Sequence, residues 1–304
     1  MRSYLVECVP NFSEGRDRAR IDALEGSISR VPGVAVLDRT SDPDHNRTVI
    51  TFAGDHEAVL EAAVRAARKA AELIDLTQHR GIHPRLGALD VLPFVPLAGS
   101  SMLDCIEIAH SAGRRIWGEL KIPVYFYEAA AMRPDRVNLE DVRRGQFDVL
   151  REAALVDVTR APDLGGPALH PTAGAVIVGA RKILVAFNIN LNSSDLTVAK
   201  AIAKRIRASG GGFPGVKALG LPLLSRGLVQ VSMNLTDFER TPVHIVYREV
   251  ERLADLYGVA VANSEVVGLL PRRAIEMAFA DTLKLSRFDS QSVLENRIDT
   301  LAGR

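Results

Sequence analysis

Arg47-Thr48-Val49-Ile50-Thr51-Phe52 is followed, after Ala53, by Gly54-Asp55 and then by the alanine-rich run His56 to Leu76. Threonine, valine, isoleucine and phenylalanine in sequence favour an extended segment, because branched and aromatic side chains fit a pleated surface. Gly54 and Asp55 supply a turn and a helix cap, and the alanines after them supply a helix. On the N-terminal side the pattern predicts a strand at Tyr4 to Val9, a helix from about Asp17 to Val31 and a strand at Val34 to Asp38. On the C-terminal side it predicts a strand at Leu89 to Pro96, a helix from about Met102 to Leu120 and a strand at Pro123 to Tyr127. The order is β-α-β-β-α-β with a further α-β, the split βαβ pattern with an extension.

The second half repeats this order. Strands are expected at Ile183 to Ile189, Val216 to Leu221, Leu228 to Leu235 and Val259 to Ala262, with helices at Asp195 to Ala208 and Pro242 to Tyr257. Gly258 ends the latter helix, and two more helices are expected near Arg272 to Leu285 and Ser290 to Leu301. The expected fold is therefore mixed α/β (α+β), with two ferredoxin-like βαββαβ lobes in residues 1–180 and 181–304. The boundary is expected near residues 177–182, after a long loop from Arg160 to Gly174 punctuated by Gly165, Gly166, Pro167 and Pro171. A long irregular loop between two lobes is more often functional than idle.

The composition narrows the function. With 304 residues, 47% of them hydrophobic, the chain can bury a core for one large domain or two smaller ones. Lysine and arginine number 38 against 37 aspartates and glutamates, so no global charge favours nucleic acid or an anionic membrane, and any anion site is local. Met1 to Pro10 is broken by Glu7 and Pro10 and lacks the apolar core of an export signal, and no run approaches the roughly 18 apolar residues of a membrane span. A cytoplasmic protein with Cys8 and Cys105 as reduced, buried thiols is expected.

The segment His79-Arg80-Gly81-Ile82-His83-Pro84-Arg85-Leu86-Gly87-Ala88-Leu89-Asp90 concentrates two imidazoles, two guanidinium groups and a carboxylate between a helix and a strand. Imidazole suits proton transfer at neutral pH, and guanidinium forks suit the carboxylates of an amino-diacid, so His83 is a candidate base. The same residues are compatible with a plain turn shaped by Pro84 with solvated arginines, and local sequence leaves both readings open. His79 and His83 have the four-residue spacing of helical zinc ligands. Gly81 between them, Pro84 after them and the lack of a glutamate beside His79 argue against that, and no metal is expected. Asp42-Pro43-Asp44-His45-Asn46-Arg47 reads as a polar hairpin loop, with Arg47 held more firmly because it begins a strand. Gly210-Gly211-Gly212-Phe213-Pro214-Gly215 satisfies Gly-x-Gly-x-x-Gly, but it follows a helix and precedes a strand, the reverse of a dinucleotide site.

Taken together, several segments resemble the formiminotransferase family. They are Glu7-Cys8-Val9-Pro10-Asn11-Phe12-Ser13-Glu14-Gly15, Asn46-Arg47-Thr48-Val49, His83-Pro84-Arg85 and Gly87-Ala88-Leu89-Asp90 in the first half. In the second half they are Gly179-Ala180-Arg181-Lys182, Ala186-Phe187-Asn188-Ile189-Asn190-Leu191 and Gln230-Val231-Ser232-Met233-Asn234-Leu235. The resemblance spans nearly the whole chain.

The resemblance implies two lobes whose sheets face each other across a tunnel, a homodimer, and glutamate formimidoyltransferase activity. In that reaction N-formimino-L-glutamate gives its formimino group to N5 of tetrahydrofolate, the folate co-substrate. It implies His83 as the catalytic base, with His79 a weaker alternative. Arg47, Arg85 and either Arg181 or Lys182 would hold the glutamate carboxylates, although Arg181 and Lys182 would serve equally in a salt bridge between lobes. Two folate-binding stretches are implied. The first is Gly165, Gly166, Pro167, Ala168, Leu169, His170, Pro171, Thr172, Ala173 and Gly174. The second is Pro271, Arg272, Arg273, Ala274, Ile275, Glu276, Met277, Ala278 and Phe279. Ala173 stands where the animal members are expected to carry an aromatic residue, and the expected form lacks their additional cyclodeaminase domain. Alternatives on the same scaffold are an N-formiminoglutamate hydrolase, a 5-formyltetrahydrofolate cycloligase and a non-catalytic folate-binding protein.

Overall fold

Pro10 has no backbone donor and interrupts the first strand, which therefore runs as β1 (Val6–Cys8) and β2 (Asn11–Phe12). Asp17 caps α1 (Arg18–Ser29) by accepting from the N–H groups of Ala19 and Arg20. A hairpin of β3 (Val34–Asp42) and β4 (Arg47–Gly54) follows, and Asp55 caps α2 (His56–Leu73). The buried stripe of α2 is almost all alanine, which lets its backbone lie close to the sheet. Next come β5 (Leu89–Pro96), α3 (Met102–Arg115) and β6 (Val124–Glu128). In α3, a Cβ on Gly113 would stand 2.5 Å from the Phe126 ring, so the helix rests on β6 at a point only glycine allows. The expected helix to Leu120 changes pitch at Ile116–Leu120, which forms a π-helical turn ending in Lys121 at φ 57°. Two short helices, α4 (Leu139–Val142) and α5 (Gln146–Val156), lead to β7 (Val176–Ala180).

This computed structural model describes residues 5–278 together with Ser292, Leu294, Arg297 and Ile298. Its first sheet has the order β3-β4-(β1/β2)-β5-β7-β6, antiparallel as far as β5 and parallel beyond it. The strand β7 sits inside the sheet, where the sequence reading expected a lobe boundary. Val176-Ile177-Val178-Gly179-Ala180 is buried throughout, and an interior parallel strand has no polar alternation to announce it.

The second unit contains β8 (Val185–Leu191), α6 (Leu196–Ile206), β9 (Val216–Leu223), β10 (Leu228–Leu235), α7 (Val243–Leu256) and β11 (Val261–Val267). All pairings in its sheet are antiparallel, in the order β11-β8-β10-β9. Numbered within each βαββαβ run, both units show the strand order fourth, first, third, second. The fold class is the mixed α/β one expected, and the chain divides after Arg181 into Met1–Arg181 and Lys182–Arg304.

The last strand lies later than expected, at Val261–Val267 instead of 259–262. Of the expected helix from Arg272 to Leu285, the described part is α8 (Arg272–Glu276), and most of the expected Ser290 to Leu301 helix lies outside the described residues. Each unit has its own hydrophobic core. Cys8 and Cys105 are free and buried, and burial raises both thiol pKa values, that of Cys105 to about 12. No described helix is long and apolar enough to cross a membrane.

Candidate active site

The hairpin turn between β3 and β4 meets the segment His79 to Asp90 through Asn46, which takes φ 49°, a left-handed conformation asparagine tolerates. Its side-chain Oδ1 accepts from Gly15 N–H at 2.9 Å, and Nδ2 donates to the Arg80 carbonyl at 3.0 Å. A Cβ on Gly15 would stand 2.3 Å from the Asp42 carbonyl and 2.4 Å from Arg47 N, so glycine is needed for this close approach. Ser13 Oγ donates to the Gly87 carbonyl at 2.8 Å, and Thr48 Oγ1 to the Glu14 carbonyl at 2.6 Å. Three of the sequence motifs are thereby stapled to one another.

At the centre lies Asp90, fully buried at the start of β5. Its Oδ1 accepts from the backbone N–H groups of Leu86 (2.7 Å) and Gly87 (3.3 Å), which fixes the loop after His83. Its Oδ2 accepts from Arg47 Nη1 (3.1 Å) and Arg143 Nη2 (2.5 Å). Two guanidinium groups on one carboxylate leave the cluster with excess positive charge. Arg47 also donates from Nη2 to Asn11 Oδ1 at 2.5 Å. Burial and then Arg143 lower the Arg47 pKa to about 10, so it remains charged at neutral pH.

His83 is half-buried, with Nδ1 2.8 Å from Arg47 Nη1 and 2.8 Å from the Pro84 carbonyl. Burial, followed by the charges of Arg47 and Arg143, holds its pKa well below the usual histidine value, so the ring is neutral near pH 7. The His45 ring lies 5.9 Å away, centroid to centroid, and its buried Nε2 has no partner among the described residues. His79 has a different setting. It is buried, its Nε2 donates to the Asn46 carbonyl at 3.0 Å, and burial lowers its pKa.

The other basic residues singled out by sequence are placed differently from one another. Arg85 is buried, donating to Asp148 Oδ2 at 3.0 Å and to the carbonyls of Leu76 and His79 at 3.3 and 3.4 Å. Arg181 ends the first unit beside Glu7 and is hydrogen-bonded to Tyr127. Lys182 begins the second unit, exposed, with Nζ 3.2 Å from Asp237 Oδ2 of that same unit.

The stretch Gly165 to Gly174 is laid against the His83 segment. Ala88 N donates to the Ala173 carbonyl at 2.9 Å, Ala175 N to the Leu86 carbonyl at 3.2 Å, and Leu76 N to the Thr172 carbonyl at 2.9 Å. Gly166, Pro167, Ala168 and Pro171 are exposed, Leu169 is buried, and His170 turns Nδ1 inward to accept from Ala173 N at 3.0 Å. Gly165 abuts the Trp117 ring, and the Gly166–Pro167 peptide is cis. Ala173 is only 2% exposed and presents no surface for stacking. In the stretch from Pro271, Arg272 and Arg273 are exposed and Ala274 and Ala278 buried, with Ile275 and Met277 between these extremes. Phe279 lies outside the described residues.

Sequence reasoning overlooked Arg143 and the settings of Glu7 and of His45, which it read only as part of a polar hairpin loop. Arg143 follows α4 in a stretch without hydrophobic period, so only tertiary structure brings it to Asp90. In the second unit the buried motif residues Asn190 and Gln230 join the half-buried Asn263 and Glu265 in a polar ladder. Gln230 Nε2 donates to Asn190 Oδ1 and Glu265 Oε1 at 2.9 Å each, and Asn190 Nδ2 donates to Asn263 Oδ1 at 2.7 Å.

A neutral histidine set among arginines on a βαββαβ unit, followed by a second unit of the same strand order, defines a two-unit α/β protein with a cationic cluster around a histidine. Residues 5–181 match the family model "Formiminotransferase domain, N-terminal subdomain", and residues 186–299 match "Formiminotransferase domain". The chain belongs to the formiminotransferase family. It is 45% identical to glutamate formimidoyltransferase of Streptococcus pyogenes serotype M1 over 97% of this chain and 98% of that one. It is likewise 45% identical to glutamate formimidoyltransferase of Thermoplasma acidophilum, over 98% of each chain. The formimidoyltransferase-cyclodeaminase of Rattus norvegicus is 46% identical over 90% of this chain, a match spanning 51% of the rat protein.

Proposed function

We propose that this chain is a glutamate formimidoyltransferase, moving the formimino group of N-formimino-L-glutamate to N5 of tetrahydrofolate. The observation that carries the reading is the neutral His83 ring held between Arg47 and the Pro84 carbonyl, in a chain 45% identical over nearly its whole length to relatives named for this activity.

Two groups compete for Nδ1 of His83. The Pro84 carbonyl can only accept and Arg47 can only donate. With the proton on Nδ1 facing Pro84, Nε2 carries the lone pair and is free to take a proton from N5 as N5 bonds to the formimino carbon. The imidazolium so formed stands beside two arginines and is a strong acid. It returns the proton to the glutamate nitrogen as the carbon–nitrogen bond breaks, so one residue serves both steps and no net proton is lost.

Arg47 would hold a glutamate carboxylate at the charge-rich end of the site, with Arg181 or Lys182 as a second anchor. Arg85, tied to Asp148 and two carbonyls, would contribute through the shape of the loop and its field. Gly165 to Gly174 and Pro271 to Phe279 would bind folate. Cytoplasmic location, a homodimer and catalysis without a metal belong to the same proposal.

The test is glutamate release from N-formimino-L-glutamate with and without tetrahydrofolate, no metal being added. Release that requires tetrahydrofolate is expected. Release without it makes the protein a hydrolase, and no release under either condition overturns the transferase reading.

A further inference from the structure

Glu7, in the first unit, is a buried charge that the mechanism leaves unused. Val6 and Cys8 enter the core beneath α2, so strand alternation turns Glu7 to the opposite face of the sheet. Its cross-strand partners there are Ala53 and Val95, and through the β5–β7 and β6–β7 registers Pro93, Gly179 and Tyr127 share the same face. A Cβ on Gly179 would stand 2.4 Å from a Tyr127 ring carbon, so the ring lies flat across that strand. Glu7 is 6% exposed, and no hydrogen-bond donor reaches its carboxylate among the described residues. Its charged neighbour is Arg181, which is also hydrogen-bonded to Tyr127.

A buried carboxylate without a donor works against folding, and such groups persist where a ligand supplies what the protein withholds. Burial, only partly opposed by Arg181, raises its pKa to about 7. The position is informative as well. On β5, Val95 opposite Glu7 and Val91 opposite Asn11 are four residues apart, about 13 Å at roughly 3.3 Å per residue. Asn11 is held by Arg47, which also touches His83, so Glu7 stands too far from His83 to touch the group being transferred. A rigid bicyclic ring with its reacting nitrogen at His83 would extend its far end along the strand toward Glu7.

We propose that Glu7 receives the 2-amino-4-oxopyrimidine edge of the reduced pterin, its two oxygens accepting the parallel N–H donors of ring N3 and the 2-amino group. A carboxylate fork matches that pair of donors as it matches a guanidinium. The inference rests on the tetrahydrofolate reading above and adds the residue that recognises the ring.

The test compares binding of 5-formyltetrahydrofolate and its 2-desamino-2-methyl analogue by the full-length protein. The wild-type protein is expected to favour the amino compound roughly ten- to a hundredfold, the range of a hydrogen bond to a charged group. In Glu7→Leu and in the near-isosteric Glu7→Gln this preference should shrink to about threefold or less. A purely structural Glu7 would not tie the preference to one ring substituent. Equal affinity of the wild-type protein for both compounds overturns the assignment, as does an undiminished preference in both variants. If the protein binds neither compound and shows no turnover, the tetrahydrofolate reading falls with it. Equal binding with normal turnover removes Glu7 alone.

Discussion

Nη1 of Arg47 lies 2.8 Å from Nδ1 of His83, so a permanent cation touches the ring that is proposed to take up a proton. Two consequences can be measured. The neutral form of His83 should persist well below pH 6.5, and the acid limb of kcat/KM should lie correspondingly low. Arg47→Gln removes a charge that disfavours the imidazolium, so the His83 pKa should rise, as followed by NMR titration. The acid limb should move to higher pH, and kcat/KM at neutral pH should drop on the order of a hundredfold as positioning is lost.

His83→Ala should lower kcat for formimino transfer by roughly a hundred- to ten-thousandfold, the range of a positioned acid–base group. Affinity for 5-formyltetrahydrofolate should change by no more than a few-fold. Binding lost in step with turnover would show that His83 shapes the site and does not act as base.

Asp90→Asn would place an amide where two guanidinium groups and two backbone N–H groups now converge on a carboxylate. Breaking a buried ion pair on one side strands its partners, at about 3–5 kcal/mol. Urea unfolding should show the loss, together with loss of activity.

Gly87→Ala tests the seam between the His83 segment and the loop ending at Gly174. A Cβ on Gly87 would stand 2.2 Å from the Ala175 carbonyl and 2.4 Å from the Leu89 carbonyl, both backbone atoms. A destabilisation of about 1–3 kcal/mol by overpacking is expected, visible as a lower melting temperature.

Glu7 gives stability a distinctive pH dependence. Its folded pKa of about 7 is above the unfolded value of 4.5, so between these values the folded state holds more protons than the unfolded one. Stability therefore falls as pH rises from 4.5 through 7, by up to about 3 kcal/mol from this group. The groups that bear on it are Arg181, Tyr127, whose pKa burial pushes up to about 12, and the Cys8 thiol, all uncharged or constant over that window. His83 acts in the opposite sense, because the unfolded state alone takes up its proton below pH 6.5. Glu7→Gln isolates the glutamate: its stability should match wild type near pH 5 and exceed it near pH 7.5. A constant difference across that range would mean Glu7 does not titrate as described.

Strands bounded by strong punctuation were legible to the residue. Leu89–Pro96 and Leu228–Leu235 are found as expected, because proline and glycine signals frame runs with clear strand composition. The strand β11 was displaced because Asn263, Ser264 and Glu265 look like loop residues, and only their place in the polar ladder explains them in a sheet. The helices α4 and α5 went unread because a four-residue helix has no period, and Gln146, which opens α5, follows Gly145 at φ 90°.

His83 stood out because a histidine, a proline and an arginine in a short polar segment between a helix and a strand are themselves a pattern. Its environment did not stand out. Arg143 is fifty-three residues from Asp90 in sequence, a pairing no local signal encodes. Glu7 was visible only as a letter in a motif, because burial of a strand glutamate depends on what lies on either side of it.

The strand β7 carries a consequence for the order in which this protein can form. β6 has β7 as its sheet partner, and β7 joins β6 to β5. On the ribosome, the first half of the chain therefore cannot finish its sheet until Val176 to Ala180 have cleared the exit tunnel, just before the second half begins to emerge. A fragment that stops short of Val176 would leave two apolar strand edges open, on β5 and β6, so any attempt to express the first half alone should keep the residues through Ala180.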